Sequence, residues 1–527
     1  MIGYKFEESD IQEIIDLYSE YGNVTETAKI FCSNKELEYT DSSRRRISNL
    51  LSRKGITKSL EEIKEVDNRL DKDYMEAKKR VLNQSKFYIV TWEQNSTPLH
   101  KNLWNNILKY AEFLNAEISV ILGRYKNPTS VFSDGEYETW NEETRPYWDA
   151  NRHEIHKFLT VLSDVKIQPT ATNPLTGLES ITGETSTIVG HPKMWLKPVP
   201  VLEGHPKKIL LSTGAITVPN YTDSKAGKRG EMHHKLGFVI VEIKDEEVFF
   251  IRQVEADKNG NFIDLYYEVM NQQIFDLDYA DALVWGDTHV NSLNPEILPA
   301  TYDIIDKLAL KYEVHHDLAD GTSVNNHIIN NPVEQFKRMQ EGEDDVNLEL
   351  SKIITFLDES QNTQKIIVQS NHNDRFDRWV VNQDWKKDLK NALPYLKYTA
   401  AVLEGKANKG VLAYVIENEF EESEVLCLDY DDSFMISGFE VAHHGHIGAN
   451  GSKGSLEQFR KMSTNMVVGH YHTPSRADKV LAVGTSSHLR EGYNKGASSW
   501  LNSHVLIHKN GTAQHLIFVR GEFTTFE

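Results

Sequence analysis

The sequence predicts an α/β protein with a helical N-terminal unit, and three observations carry that prediction. From residue 281 onward, apolar strand-like runs end repeatedly in Asp, Asn or His and alternate with helix-like stretches. Between Phe87 and Gly123 a strand, an amphipathic helix and a second strand follow one another as in a βαβ unit. The first sixty residues show helical periodicity only. At 527 residues the chain is too long for one ordinary core, and roughly three domains are expected.

Taken in order, residues 1–58 form the helical unit. Ile11, Ile14, Ile15, Leu17 and Tyr18 suit a helix that stops at Gly22-Asn23, and a second helix spans 25–31. Asp41 or Ser42 then caps a third helix running to Gly55. It carries Arg44, Arg45, Arg46, Arg53 and Lys54, with no acid between Asp41 and Glu61. This is helix-turn-helix-like, with the last helix placed to enter a DNA major groove, although Cys32–Thr40 exceeds the usual short turn. The same residues also suit an oligomerisation or docking module with a solvated basic face. Residues 59–84 read as a charged helical linker, and 85–280 as an α/β accessory region. Within it, 165–235 is rich in Thr, Pro, Gly and Ser, as long loops between short strands would be. KLGFVIVEI and EVFFIRQV make a hairpin. The remaining division is 281–527.

Composition narrows the function. With 39% hydrophobic and 26% charged residues the chain is globular, and no run approaches the ~18–20 apolar residues a membrane helix needs. The start lacks a secretory pattern, and two distant cysteines, Cys32 and Cys427, form neither a disulfide framework nor a thiolate metal site. A cytoplasmic location with no membrane partner is the expectation. The formal charge of −20, from 58 basic and 78 acidic residues, argues against a passive DNA coat. It leaves room for an enzyme acting on phosphates through bound cations.

The chemistry sits among 21 histidines, many clustered late in the chain. ALVWGDTHV leads to Asp287 and His289, YEVHHD to Asp317, and KIIVQSNHND to Asn371 and His372. MISGFEVAHHGH leads to His443, His444 and His446, and MVVGHYHTP to His470 and His472. Side chains at successive strand ends of an α/β layer converge on one rim. Carboxylates and imidazoles without thiolates suit Mn, Fe, Zn or Mg, and one aspartate can bridge two ions ~3.5–4 Å apart. Taken singly, each histidine is as well explained as a hydrogen-bonded core residue and Asp287 as a turn cap; the ordered set is not.

In these motifs the sequence resembles the calcineurin-like metallophosphoesterases. Their ordered signature stands here as Asp287-Thr-His289, Asp317, Asn371-His372, His444 and Gly469-His470-Tyr-His472, across about 281–490. The resemblance implies a four-layer αββα sandwich and two divalent ions, Mn2+ first among Mn2+, Mg2+, Fe2+ and Zn2+. It places one ion on Asp287, His289, Asp317 and His472. The other falls to Asp317, Asn371, His444 and His470, with Asp317 as the bridge. His372 becomes the acid or charge stabiliser for the leaving oxygen. Three departures stand out: His316-Asp317-Leu-Ala-Asp320 replaces a glycine before the bridging acid; Asn373 precedes Asp374 as an extra residue; and His443 or His446 rival His444 as the ligand.

The implied reaction is hydrolysis of a phosphate ester by a metal-activated hydroxide. Arg44, Arg45 and Arg46 on the basic helix favour DNA as substrate, as do Arg229 and His234 in SKAGKRGEMHHKLG and Arg375 and Arg378 after the catalytic motif. Asn326 and His327 are further groove candidates. The architecture also looks like phage-encoded DNA-transfer or host-DNA-degrading nucleases, which implies a Mn-dependent DNase working as a homo-oligomer. Two other readings compete: a small-molecule phosphatase or nucleotide phosphodiesterase, and a non-catalytic DNA-binding or assembly protein with a relict metal site.

Overall fold

The computed structural model describes residues 4, 6–21, 24–54, 72–124, 139–325, 331–359, 363–492 and 494–526. It divides into two compact units, Met1–Glu76 and Ala77–Glu527. Among the described residues no helix is long and apolar enough to cross a membrane.

In the first unit, helices Glu8–Tyr21, Val24–Asn34 and Asp41–Arg53 enclose a small core of Ile14, Ala28, Phe31, Ile47 and Leu51. The second helix ends when the Leu37 N–H reaches back to the Cys32 carbonyl at 2.7 Å, with Glu36 left-handed at φ 52°. Thr40, rather than Asp41 or Ser42, caps the third helix. Its Oγ1 accepts the Ser43 N–H at 3.2 Å while Ser43 Oγ accepts the Thr40 N–H at 2.6 Å. Of the three arginines expected to face DNA, Arg45 is exposed and Arg44 half-buried. Arg46 is committed internally: Nη2 donates to the Tyr4 carbonyl at 2.5 Å and the guanidinium lies over the Phe6 ring.

Residues 59–71 of the expected linker lie outside the described residues. Its helical part is Lys72–Ala77. Beyond Ala77 the chain is not helical, and within the second unit Arg80 donates to the Ile118 carbonyl at 2.7 Å and to Glu117 at 3.0 Å.

Among the described residues the second unit holds four sheets. The βαβ pattern becomes strands Phe87–Gln94 and Glu117–Gly123, paired in parallel across helix Lys101–Leu114, which buries Leu103, Trp104, Ile107 and Tyr110. The expected hairpin, Gly237–Ile243 with Phe249–Glu255, extends this five-stranded sheet on the other side of Phe87–Gln94. A small antiparallel sheet runs from Phe262 to Asp276.

A six-stranded sheet has the order Val425–Leu428, Gln364–Val368, Tyr312–His315, Ala282–Val284, Ser503–Ile507, Ala513–Ile517. Its first four strands are parallel, so helices must cross over between them. Leu298–Lys307, Val346–Asp358 and Val411–Glu417 cover one face, against Leu283, Trp285, Ile367 and Cys427. The opposite face, with Val284, Val314, Ile366 and Val368, packs on Phe439, Val467 and Leu481 of a ten-stranded sheet. Helix Leu456–Lys461 closes the far side of that sheet through Phe459, Met466 and Val480.

The ten-stranded sheet joins strands from 152–212 to strands from 435–482, meeting where Ala477 pairs with Trp195 and Arg476 with Leu196. The boundary drawn at 280/281 therefore does not separate two compact bodies. Strands on both sides of it share one hydrogen-bonded sheet. The C-terminus strengthens the join, with Thr525 N donating to Glu242 at 2.7 Å and Gln514 Nε2 to Asp264 at 3.0 Å.

Candidate metal centre

Five strand ends meet at one rim. The strands Ala282–Val284, Tyr312–His315, Gln364–Val368, Phe439–Glu440 and Asn465–Val468 lead to Asp287 and His289, Asp317, Asn371 and His372, His444, and His470 and His472 respectively. The chain leaves its pleat abruptly there. His289, Asp317, His470 and His472 all adopt left-handed backbone, with φ of 48°, 43°, 76° and 53°. Such a conformation costs a side-chain-bearing residue about 1–2 kcal/mol and persists where the surroundings over-determine it. Here Thr288 N donates to the His316 carbonyl and His289 N to the Asp317 carbonyl, both at 2.8 Å, while Asp287 N donates to the Gly484 carbonyl at 3.1 Å. Gly469 is required by crowding: a Cβ would stand 2.3 Å from Asp287 Oδ1. That same oxygen accepts the His470 N–H at 3.0 Å.

The side chains form two triads that share Asp317. His289, Asp317 and His472 place ligand atoms within 4.8 Å of one another, as do Asp287, Asp317 and His444, and all are buried. His289 Nε2 and His472 Nε2 face each other at 3.1 Å, and His472 Nε2 lies 3.2 Å from Asp287 Oδ2. Among the three histidines of the fourth motif it is His444 whose Nε2 reaches Asp317 Oδ2, at 3.1 Å. His446 stands behind it with ring centroids 5.2 Å apart, and His443 is half-buried at the rim. His470 joins neither triad and lies beside His444, ring centroids 5.3 Å apart.

The donors fit a cation. Asn371 Oδ1 is buried without a hydrogen-bond partner among the described residues, and Asp287 Oδ2 and His444 Nε2 are buried facing other triad atoms, His472 Nε2 and Asp317 Oδ2. Buried polar atoms rarely stay unpaired unless something else occupies them. Their charges point the same way. Burial pushes the Asp287 carboxyl up to about 7, His444 opposing and Asp317 adding to it. Asp317 is held well below the ordinary carboxylate range: burial works against its charge, but His444, His372 and His289 outweigh it. Burial also disfavours charge on His289, yet the adjacent Asp320 and then Asp317 raise it to about 9. The carboxylates thus hold positive charge at the centre, as imidazole protons. A divalent ion would supply that charge and displace the protons.

The flanking residues orient the donors. Asp320 Oδ1 sits 3.3 Å from His289 Nδ1, and its oxygens accept Asn291 N at 2.8 Å and Ser292 Oγ at 3.1 Å. His504 Nδ1 accepts the Gly286 N–H at 2.9 Å, fixing the turn before Asp287. Asn373 clips two motif loops together, accepting Ala319 N and donating to the Val368 carbonyl, each at 3.1 Å. Asp374 plays a different part, accepting from Arg378 at 2.6 Å. His372 Nδ1 lies 3.1 Å from the Asp320 carbonyl, which makes Nδ1 the protonated nitrogen, and Arg375 Nη2 stands 3.5 Å from its Nε2. Burial brings His372 down to about 4, against the pull of Asp317 and with help from His289 and Arg375. At neutral pH its ring is uncharged, and Arg375 supplies the nearby positive charge.

The other expected contacts fare differently. SKAGKRGEMHHKLG is not a loop: Lys225–Met232 is a helix capped by Ser224. His234 is a structural residue rather than a substrate contact. Nε2 is engaged by the Thr217 carbonyl at 2.8 Å and Nδ1 by the Tyr221 hydroxyl at 3.1 Å. Arg229 is exposed, 3.5 Å from Thr172 Oγ1. Arg378 is exposed but paired with Asp374. Asn326 and His327 lie outside the described residues. The sequence marks Asp320 by the spacing Asp317-x-x-Asp320 but gives it no role; the structure puts it against His289. Sequence reasoning missed Trp500, whose ring lies 4.1 Å from that of His472 and which no local pattern announces.

No protein-family model matches the chain, and no solved structure matches it. Among curated proteins it is similar to Protein A1 of Escherichia phage T5, with 32% identity over 468 residues, covering 84% of this chain and 83% of that protein.

Proposed function

The chain belongs to the family of Protein A1 of Escherichia phage T5, and from that premise we propose that it is a phage-encoded phosphodiesterase of the calcineurin-like metallophosphoesterase type that hydrolyses DNA with two divalent metals. The observation that carries this reading is the shared use of Asp317 by two buried triads, His289–Asp317–His472 and Asp287–Asp317–His444. One carboxylate facing two ligand sets is what a dinuclear centre requires. The helix, sheet, sheet, helix order around that rim supports the αββα assignment.

In this reading His289, Asp317 and His472 would hold one ion and Asp317 and His444 the other, with Asp287 in reach of both through its triad with His444 and its 3.2 Å approach to His472, Asn371 and His470 adding to the second set, and Mn2+ the proposed metal. Bound ions would supply Lewis acidity on the phosphoryl oxygens and a nucleophilic water. The chain's own residues do the rest. Asp287 and Asp317 keep the centre anionic, so that it retains cations. Asp320 and His504 fix the orientation of the first motif. Arg375, whose Nη2 stands 3.5 Å from His372 Nε2, would put a guanidinium against the developing negative charge, and His372 would act on the leaving oxygen only once its Nε2 carries a proton. A cavity of about 420 Å³ lined by Tyr430, His443, His444, His446 and Asn450 adjoins the centre and offers room for a nucleotide unit. The exposed Arg45 supports a DNA contact in the first unit.

A nuclease assay with Mn2+ on linear and closed-circular duplex DNA, wild type against Asp317→Ala, tests the proposal. Degradation by wild type alone, abolished by a chelator, is expected. Cutting of closed circles would identify an endonuclease. Intact DNA alongside hydrolysis of a nitrophenyl phosphate ester would overturn the DNase reading in favour of a small-molecule phosphodiesterase.

A further inference from the structure

Away from the metal centre, a second group of charged side chains converges on a buried amine. Lys193 lies two residues before the strand Trp195–Val199 and is fully buried, and its Nζ has no hydrogen-bond partner among the described residues. The nearby carboxylate is Asp478, in the turn between Ser475–Ala477 and Val480–Ala482, and it is already engaged. It accepts Trp195 Nε1 at 3.2 Å and Arg460 Nη1 at 3.1 Å, and lies 3.4 Å from His233 Nδ1.

Around these, charge is predominantly positive. Asp478 favours the Lys193 ammonium, whereas Arg460 and Arg229 oppose it, and burial opposes it most. The Arg460 guanidinium covers the Trp195 ring at 5.8 Å. Arg229, on helix Lys225–Met232, is exposed, and His233 follows that helix with its side chain 13% exposed. The group therefore grades from a buried ammonium, through half-covered Arg460 and His233, to an open guanidinium.

This place is separate from the metal centre. Strand Val480–Ala482 runs from Asp478 toward Gly484, whose carbonyl accepts the Asp287 N–H. The two sites lie at opposite ends of that strand.

A buried ammonium without an acceptor is strongly disfavoured, and Asp478 already receives Trp195 Nε1 and Arg460 Nη1, with Glu457 2.9 Å from Arg460 Nη2. An ammonium, two guanidiniums and an imidazole set against two carboxylates, Asp478 and Glu457, are the kinds of donor that bind a tetrahedral oxyanion. We propose that Lys193, Arg460, His233 and Arg229 form a phosphate-binding site distinct from the metal centre. Lys193 Nζ is its innermost donor and Arg229 its mouth. The site stands whether or not the metal centre cleaves DNA.

The test is isothermal titration of the chelator-treated full chain with inorganic phosphate in chloride buffer. One phosphate per chain is expected for wild type and for Asp317→Ala, with affinity at least tenfold weaker in Lys193→Met and a few-fold weaker in Arg229→Gln. Absence of binding to wild type overturns the proposal, as does unchanged affinity in a folded Lys193→Met. Loss of binding in Asp317→Ala would assign the phosphate to the metal centre and also overturn it. Should Lys193→Met not fold, Arg229→Gln decides, since its side chain is exposed; unchanged affinity there refutes the site. Competition by a 5′-phosphorylated oligonucleotide would identify the phosphate as one carried on nucleic acid, and its absence would identify free phosphate; the site stands in either case.

Discussion

A Cβ on Gly469 would stand 2.3 Å from Asp287 Oδ1 and 2.7 Å from His316 Cβ, so even the smallest side chain there displaces a proposed ligand. Gly469→Ala should keep the fold but weaken Mn2+ binding about 10–100-fold, the usual effect of misorienting a ligand; unchanged binding in a Mn2+ titration would show that Asp287 is not a ligand. A second residue-scale consequence concerns pH. Glu93 ends the strand Phe87–Gln94, and burial pushes its carboxyl up from 4.5 to about 7, against hydrogen bonds from Asn141 and Thr144. A raised carboxyl leaves the folded state holding a proton that the unfolded chain has released. Stability from this group is therefore present below about 4.5 and lost as pH rises to about 7. The total is on the order of 3 kcal/mol at ~1.4 kcal/mol per pH unit. Glu93→Gln should match wild type near pH 4.5 and become progressively more stable relative to it toward pH 7.5. Parallel melting curves across that range would contradict this.

At the scale of elements, Arg252 on strand Phe249–Glu255 ties three segments together. It is fully enclosed between Glu242 and Asp264, with Nη2 2.8 Å from Asp264 Oδ2, and Tyr110 and Gln514 complete the Asp264 shell. Arg252→Met would leave two buried carboxylates without their cation and should cost about 3–5 kcal/mol in denaturant unfolding; a loss under 1 kcal/mol would mean that they ionise little. Elements whose cause is local were legible in the sequence. The 3.6-residue spacing of Leu103, Ile107 and Tyr110 and the unbroken apolar run from Phe87 specify helix and strand by themselves. The metal motifs were legible because each follows such a run. What depended on distant partners was not. Trp195–Val199 becomes an interior strand only because Ser475–Ala477 pairs with it. His234 looked like a phosphate contact because its partners, the Thr217 carbonyl and the Tyr221 hydroxyl, are brought to it by tertiary folding. Thr40 displaced Asp41 as the cap because Ser43 reciprocates its bond.

For the whole molecule, a formal charge of −20 must be reconciled with the anionic substrate we propose. Where acids gather at the centre they could hold cations, which would reverse the local field. DNA binding by this chain should accordingly depend on divalent metal. Removing the metal should weaken it at constant ionic strength, and unchanged binding would place the DNA contact elsewhere. The shared sheet explains why residues 85–280 and 281–527 belong to one body: a strand from each side pairs at Trp195 and Ala477. The measurement that bears most directly on the central claim is metal stoichiometry. Chelator-stripped protein, re-equilibrated with Mn2+, should take up about two ions per chain, and Asp317→Ala should retain fewer than one, because both triads lose their shared ligand. Wild type binding less than one ion, or Asp317→Ala binding as many as wild type, would contradict the dinuclear centre.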